Sequence, residues 1–176
     1  MEKINRSFPD LDVRLGDVRK LDLQDQSFDG YWSIGVIEHF WNGYEDILRE
    51  ANRILRPGGY LFLIFPQISL LRRLKAVLAL YPKLESKDEP AGFYQFALMP
   101  KSVEQQLRHH GFVARQIYGR GPVKGLSDDI PVLEAFLKNS RSLPAKVLRR
   151  LLTMFGSPFC GHSCLIVAQK TSMRDM

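Results

Sequence analysis

The length of the chain, 176 residues, predicts a single domain. Hydrophobic residues make up 45% of the sequence and charged residues 25%, which excludes a disordered chain, a collagen and a coiled coil. No segment approaches the roughly 18 to 20 apolar residues of a membrane span, and the first residues lack a signal-peptide pattern. We therefore expect a cytoplasmic protein.

The formal net charge of +6 is unevenly distributed along the chain. Residues 1–66 carry a net charge of −3, whereas residues 67–176 carry +9. Solvated helix faces are one explanation of the basic second half. An anionic partner, such as a phosphate-bearing substrate, a nucleic acid or a lipid headgroup, is the other.

The clearest pattern in the first half is a predicted helix between two apolar runs. Residues 31–37 and 60–65 are apolar runs of strand length, and the apolar residues of 47–55 recur at helical spacing. The helix is predicted to end at the turn 57–59, Pro-Gly-Gly, because proline cannot continue it and glycine accepts a positive φ. This βαβ pattern favours a parallel sheet. Alternation at 11–15 predicts a further short strand.

The second half is predicted to be mainly helical, with two more strands. The helix that starts at Ser102 carries a capping-box pattern with Gln105 and is predicted to end at Gly111. The other predicted helices cover 68–80, 131–137 and 144–155, and the strands cover 112–118 and 165–168.

Four motifs follow one another between residues 13 and 66. They are Leu15-Gly16-Asp17-Val18 with the later Gln26–Asp29 segment, the strand 31–37 that leads into Glu38-His39-Phe40, the helix end Arg53–Gly59, and the strand 60–66. In this order and spacing they resemble the class I S-adenosylmethionine-dependent methyltransferases of the type 11 subgroup. The resemblance implies methyl transfer with S-adenosylmethionine as the cofactor.

The sequence departs from that family at its beginning. The family starts with a strand and a glycine-rich loop, but this sequence has no G-x-G motif before Asp17 and only 16 residues there. A βαβ unit needs about 30 residues or more. We therefore expect a truncated domain that lacks the N-terminal glycine-rich unit and by itself binds S-adenosylmethionine weakly or not at all. An exposed sheet edge near 11–15 would then favour a homodimer.

The predicted fold class is α/β, an incomplete Rossmann-like methyltransferase fold. Its sheet is expected to be mostly parallel with an antiparallel C-terminal strand, and helical cap insertions are expected outside the sheet. We predict one partial domain over 1–176, with the family core at 10–66 and cap or substrate-recognition insertions at 67–100 and 119–162.

Candidate cofactor-binding residues follow from the resemblance, because open α/β sheets bind ligands at the carboxyl ends of their strands. Asp17 is expected to accept a hydrogen bond from the adenine amino group, and the Val18 N–H to meet the adenine ring. Ser33, Ile34 and Gly35 are expected beside the cofactor, where a small residue permits close approach. A plain turn at Asp17 and a packing role for Gly35 are the alternatives.

His39 is the candidate catalytic residue, because it follows a strand into the predicted cleft and histidine side chains can orient a substrate or act as a base near neutral pH. A cleft-lining role without catalysis is the alternative that we favour. Cys160, His162 and Cys164 form a C-x-H-x-C pattern, which is tighter than usual zinc spacing and lacks a fourth ligand, so no metal site is predicted. The same two cysteines are too few for a disulfide scaffold.

The cap insertions are expected to recognise the methyl acceptor. Arg72, Arg73 and Lys75 lie on one amphipathic segment, and 145–155 is another with basic residues beside an apolar face. Such a cap suits a small acceptor that is lipid-like, quinone-like or phosphate-bearing. The segment 145–155 could alternatively lie on an anionic membrane surface.

Three functions compete at this point. The leading interpretation is an incomplete small-molecule methyltransferase, and the alternative is a non-enzymatic remnant or interaction scaffold of the same fold. Nucleic-acid methylation is suggested only by the basic charge, because the sequence has neither an aromatic stacking platform nor an RNA-binding motif.

Overall fold

The computed structural model describes residues 6–81 and 88–172. Its four strands form one sheet in the order β1-β2-β4-β3. The strands are β1 (Phe28–Ile34), β2 (Leu55–Pro66), β3 (Phe112–Arg120) and β4 (Ser163–Lys170). The helices are α1 (Glu45–Ile54), α2 (Leu70–Val77), α3 (Pro100–His109), α4 (Pro122–Asp129), α5 (Glu134–Lys138), α6 (Leu143–Phe155) and α7 (Ser157–Cys160), with single 3₁₀ turns at Ile37–His39 and Pro131–Leu133.

The predicted βαβ unit is present as β1, α1 and β2. Strands β1 and β2 are parallel, with Trp32 opposite Phe62 and Ile34 opposite Ile64. Strand β4 is antiparallel to both β2 and β3, so β1, β2 and β3 run in one direction and β4 in the other. The predicted class, an α/β sheet with an antiparallel C-terminal strand, is confirmed, although only one of the three pairings is a parallel one.

The Pro-Gly-Gly segment lies inside a strand rather than in a turn before it. Helix α1 ends at Ile54, β2 starts at the next residue, and the register with β1 shifts between Phe28 and Gly30. Gly58 has a φ of +81°, and a Cβ on Gly59 would lie 3.1 Å from the Asp29 carbonyl oxygen. The glycines therefore form a β-bulge, where positive φ and close backbone approach exclude larger residues.

The hydrophobic core lies on one face of the sheet. Alternate residues of β2, Leu61, Leu63 and Phe65, are at most 1% exposed, as the period of a strand requires. They pack with buried residues of α1 and α3, including Leu48 and Val103. Full burial of such side chains stabilises the fold by about 1.5–3 kcal/mol each.

The opposite face of the sheet is partly open at β1 and β2. Trp32 stacks on Phe62 with ring centroids 4.1 Å apart, yet its side chain is 58% exposed. Ile34 is 60% exposed and Tyr60 is 40% exposed on the same face. Apolar patches of this kind are typical of interaction surfaces.

The predicted strand at 11–15 is wrong. The structure has no strand there, and Leu11 and Leu15 are 55% and 87% exposed. Alternation alone cannot form a strand without a neighbour, and among the described residues β1 pairs only with β2. The sheet edge along β1 is therefore open in the described part of the chain, whereas the homodimer remains a prediction.

The predicted cap insertions are helical, and α2 packs against α7 while α4 contacts α5, α6 and α7. Sequence analysis did not predict α4, which starts at Pro122 directly after Gly121. The expected cap of α3 by Ser102 is also wrong, because this helix starts at Pro100 without a side-chain cap. None of the described helices is long and apolar enough to cross a membrane.

Candidate functional site

The carboxyl ends of β1 and β2 lie side by side. The Gly35 N–H donates a hydrogen bond of 2.9 Å to the carbonyl of Ile64, and Gly35 then turns with a φ of +66°. Ser33 is buried and Ile34 is exposed, so consecutive residues of β1 face opposite sides of the sheet. The predicted residues Ser33, Ile34 and Gly35 are thus together at the end of β1.

Two buried polar atoms at this end have no hydrogen-bond partner among the described residues. They are the Ser33 Oγ and the Glu38 Oε2, and both residues are 2% exposed. A Cβ on Gly35 would lie 3.5 Å from the Glu38 Oε1, so this carboxyl group lies directly against the turn after β1. Burial raises the pKa of Glu38, although hydrogen bonds from backbone N–H groups act in the opposite direction.

Sequence analysis used Glu38 only as part of a motif and missed its burial. The signal that could have indicated this burial is the position of the carboxylate, directly after an apolar strand. Unsatisfied buried polar atoms are uncommon in folded proteins, and they often mark places where a ligand or water completes the hydrogen bonds.

A segment that we call the strap, residues 93–98, crosses both strand ends. The Phe96 N–H donates 2.9 Å to the Glu38 carbonyl, and the Leu98 N–H donates 2.8 Å to the Pro66 carbonyl. Trp41 packs on Phe93 and Phe96 with ring centroids 5.0 and 5.1 Å away. The strap therefore fixes the loop after β1 relative to the loop after β2.

His39 is held by the strap. Its Nδ1 lies 2.6 Å from the carbonyl oxygen of Tyr94, so Nδ1–H donates there and Nε2 is the second ring nitrogen. The exposed ring lines a polar cavity of about 300 Å³, together with Arg19, Phe40, Glu45 and further residues of the loop after β1. This is the cleft-lining position that we favoured, and catalysis by His39 remains a prediction.

Asp17 and Val18 lie on a different part of the same end of the molecule. The Asp17 carboxylate accepts hydrogen bonds of 2.9 and 2.7 Å from the Arg19 guanidinium, which lowers the pKa of Asp17 to about 2. Arg19 in turn lies over the Phe40 ring at 5.5 Å, and Val18 packs against the core. The predicted cofactor residues therefore form two groups, Asp17 with Val18 and Ser33 through Gly35.

Helix α1 holds the Asp17 segment in place through Glu50 and Arg53. The Leu21 N–H donates 2.6 Å to the Glu50 Oε1, and Arg53 donates 3.0 Å to the Leu21 carbonyl and 2.7 Å to the Leu23 carbonyl. Arg53 also donates 2.7 Å to Glu50 and 2.5 Å to Asp25. This network ties residues 21–25 to a helix, whereas residues 11–15 form no strand.

The Cys160, His162 and Cys164 pattern leads into β4 beside the carboxyl end of β2. Cys164 lies opposite Phe65, and the Gln67 N–H donates 3.1 Å to the His162 carbonyl. Both cysteines are free and buried, and burial raises the pKa of Cys164 to about 11. His162 lies 3.1 Å from the Asp128 carboxylate, and no metal-binding cluster is present within residues 6–81 and 88–172.

A second cavity, of about 330 Å³, lies between the caps and the strap. Ile68, Ala76 and Ala97 form its apolar walls, and Arg72 meets Asp129 with an Nε–Oδ2 distance of 3.0 Å. The side chains of this ion pair are only 15% and 6% exposed.

Asp129 has two more partners at this cavity. The hydroxyl of Tyr81 donates 3.2 Å to its carboxylate, and Lys75 donates 2.9 Å to its backbone carbonyl. Arg72 and Asp129 are 57 positions apart and belong to the two predicted cap insertions. Together they form the polar end of a mainly apolar cavity.

The sequence of the first third of the chain is similar to known proteins. The family described as “Methyltransferase domain”, of type 11, matches residues 1–63. A curated protein of Mycolicibacterium smegmatis, strain ATCC 700084 / mc(2)155, named “Probable S-adenosylmethionine-dependent methyltransferase/”, is 35% identical over 63 residues. These residues are 36% of this chain and 24% of that protein, so the chain spans about a quarter of the length of this relative.

Solved structures extend the likeness to nearly the whole chain. An S-adenosylmethionine-dependent methyltransferase from Archaeoglobus fulgidus matches with a TM-score of 0.58 at 16% identity, over 96% of this chain and 72% of that one. The [4+2]-cyclase SpnF matches with a TM-score of 0.56 at 14% identity, over 97% and 60% of the two chains. At such identities the likeness defines the fold alone.

The fold is that of the class I methyltransferases. Residues 1–63 match the type 11 methyltransferase family, and the cofactor that these likenesses imply is S-adenosylmethionine. The described residues are compatible with one side of this cofactor. Gly35 has no Cβ at the strand end, and two buried polar atoms beside it have no partner among the residues that the structure describes.

Proposed function

We propose that this protein takes part in S-adenosylmethionine-dependent methyl transfer to a small-molecule acceptor. The observation that carries the proposal is the end of β1, where Ser33, Gly35 and Glu38 combine positive φ with unpartnered buried polar atoms inside the methyltransferase-like segment. When bound, the cofactor supplies a methyl group on an activated sulfonium, so the protein mainly has to orient the two reactants.

The proposed roles follow from position. Backbone groups at Ser33 to Gly35 hold one side of the cofactor, and Asp17 with Val18 meets the adenine. Asp17 is ionised at neutral pH, and a carboxylate is a good acceptor for a hydrogen bond from an amino group. His39 lines the separate polar cavity, and its Nε2 can accept a hydrogen bond there because Nδ1–H is bound to the Tyr94 carbonyl.

The acceptor is proposed to enter the cavity between the caps. Its volume, about 330 Å³, lies at the small end of the roughly 300–1,000 Å³ of ligand cavities. Arg72 and Lys75 face the single carboxylate of Asp129, so this end of the cavity carries an excess of positive charge. That excess favours a largely apolar acceptor with an acidic or phosphate-bearing end.

A titration of ¹⁵N-labelled protein with S-adenosylmethionine tests the cofactor site. We expect amide shifts at Asp17, Val18 and residues 33–35 on binding. The Gly35→Ala variant should bind at least tenfold more weakly. The added Cβ would occupy space at the end of β1, and alanine rarely adopts the positive φ of this position.

Gly92→Ala is the matched control. Gly92 also has a positive φ, +83°, but a Cβ there meets no atom within 4 Å. Both substitutions impose the same backbone strain, about 1–2 kcal/mol, so a difference in binding reports the site itself. Amide shifts confined to other residues, or equal loss in both variants, would contradict the proposal, and a dissociation constant in the low micromolar range would contradict the expected weak binding.

A non-enzymatic scaffold is the second candidate. The open apolar face with Trp32, Ile34 and Tyr60 and the open edge of β1 favour it, because both are typical of binding surfaces. The fold is also similar to that of a cyclase, and one fold can carry different functions, so the fold does not by itself distinguish the two candidates.

A further inference from the structure

Helix α6 has an apolar face that the rest of the described structure leaves exposed. One side of the helix, with Ala145 at 0% exposure, packs inward. The other side carries five large apolar residues at helical spacing. These are Leu143, Val147, Leu151, Met154 and Phe155, with exposures of 74%, 49%, 50%, 62% and 69%.

The charged residues of α6 and of its neighbours in sequence have a single sign. The segment 135–172 contains no aspartate or glutamate, but it contains six lysines and arginines. Lys146 and Arg150 are exposed on α6, whereas Arg149 turns inward and donates 3.0 Å to the carbonyls of Leu137 and Ser140. On a helical wheel, Lys146 and Arg150 border the exposed apolar face.

A similar combination occurs at the start of α2. Leu70 is 51% exposed there and shares a shallow hollow with Met99 and Pro158. Arg73 and Lys101 line the same hollow, so its charged residues are again basic.

We infer that α6 is an interfacial helix, which lies on the surface of an anionic lipid bilayer with its apolar face in the headgroup region. Helices with an exposed apolar face beside lysines and arginines bind membranes by this arrangement, and α6 is too short to span one. An anionic bilayer satisfies both features at once. It buries the five apolar side chains and is attracted to the basic segment, whereas an apolar protein surface would leave the cations without partners.

The helix is held in a suitable position before any lipid binds. Ser142 caps its first turn through Ala145 N, and Arg149 fixes the preceding loop from the inner side. The exposed residues therefore do not need to fold on binding, which removes an entropic cost.

Vesicle co-sedimentation tests this inference. The full chain should partition onto phosphatidylcholine vesicles with 30% phosphatidylglycerol at least tenfold more strongly than onto pure phosphatidylcholine. Arg150→Gln should weaken binding about fivefold, which corresponds to about 1 kcal/mol for one cation near an anionic surface. Leu151→Gln should weaken it at least as much, because it removes an exposed apolar side chain from the centre of the face.

Matched variants elsewhere control for charge and polarity. Arg115→Gln, on β3, removes the same charge, and Leu15→Gln removes an apolar side chain that is 87% exposed. Both should bind like the wild type. Equal binding to neutral vesicles, an equal effect of the paired variants, or a dimer that Leu151→Gln dissociates without lipid would overturn the inference. None of these results bears on the cofactor titration, since the inference does not depend on the proposed function.

Discussion

Replacing Arg53 with methionine should release the segment that carries Asp17 from helix α1. Arg53 donates to the carbonyls of Leu21 and Leu23 and to Glu50, whose side chain is 9% exposed. Removing one partner of a buried pair costs about 3–5 kcal/mol. Because Arg53 itself is 32% exposed, solvent compensates part of this loss, and we expect about 2–3 kcal/mol.

Two measurements check this value. The free energy of unfolding in urea should fall by that amount, which corresponds to about 5–10 °C in melting temperature for a chain of this length. Hydrogen exchange of the Leu21 amide should accelerate, because its acceptor Glu50 Oε1 loses its orientation. If the segment detaches without global unfolding, exchange at Leu21 changes more than the melting temperature does.

The pH dependence gives a third measurement. The hydrogen bond from Arg53 is the main cause that lowers the pKa of Glu50 below its ordinary 4.5. A carboxyl group with a lowered folded-state pKa stabilises the protein above pH 4.5 and loses this contribution as the pH falls through the folded value. Arg53→Met should therefore flatten the loss of stability below pH 4.5.

Arg49→Met is the matched control, since Arg49 lies on the same helix and pairs with Asp46 at the surface. Exposed pairs contribute about 0–1 kcal/mol, so this variant should differ little from the wild type. Unchanged protection of Leu21 in Arg53→Met, or equal losses of stability in the two arginine variants, would refute the anchoring role of Arg53.

Glu38→Gln should maintain or raise stability at pH 7, because burial raises the folded pKa of Glu38 and the charged form is the disfavoured one. The wild type should lose stability as the pH rises above 4.5, whereas Glu38→Gln should not. Urea unfolding at several pH values measures this difference. A loss of more than about 1 kcal/mol in Glu38→Gln at pH 7 would contradict the expected effect of burial. Trp32→Lys should weaken the predicted homodimer in sedimentation equilibrium, since Trp32 is 58% exposed beside the open edge of β1. A wild-type chain that stays monomeric at high concentration would rule out that dimer.

Local sequence patterns predicted the core elements well. The apolar spacing of α1 and the apolar run of β2 depend on periodicity along one element, which a sequence contains in full. The predicted end of α1 at Pro-Gly-Gly was nearly correct, because proline cannot continue a helix that has already started. The role of those glycines was wrong, since a bulge depends on the register with β1.

Patterns that need a partner were less informative. Residues 11–15 alternate as a strand does, but a strand forms only beside another strand. The contacts with Glu50 and Arg53 are made further along the chain, at Leu21. No spacing rule relates Leu21 to Arg53 across 32 positions. The anchor could therefore not be predicted from the sequence.

The candidate site divides in the same way. The residues at the strand end, Ser33 to Gly35, were predictable because the carboxyl end of a strand is defined along the chain. The burial of Glu38 and the meeting of Arg72 with Asp129 depend on how the strap and the two caps pack across that end. Sequence periodicity identifies which side chains leave an element together, but distances between elements arise only when their surfaces pack.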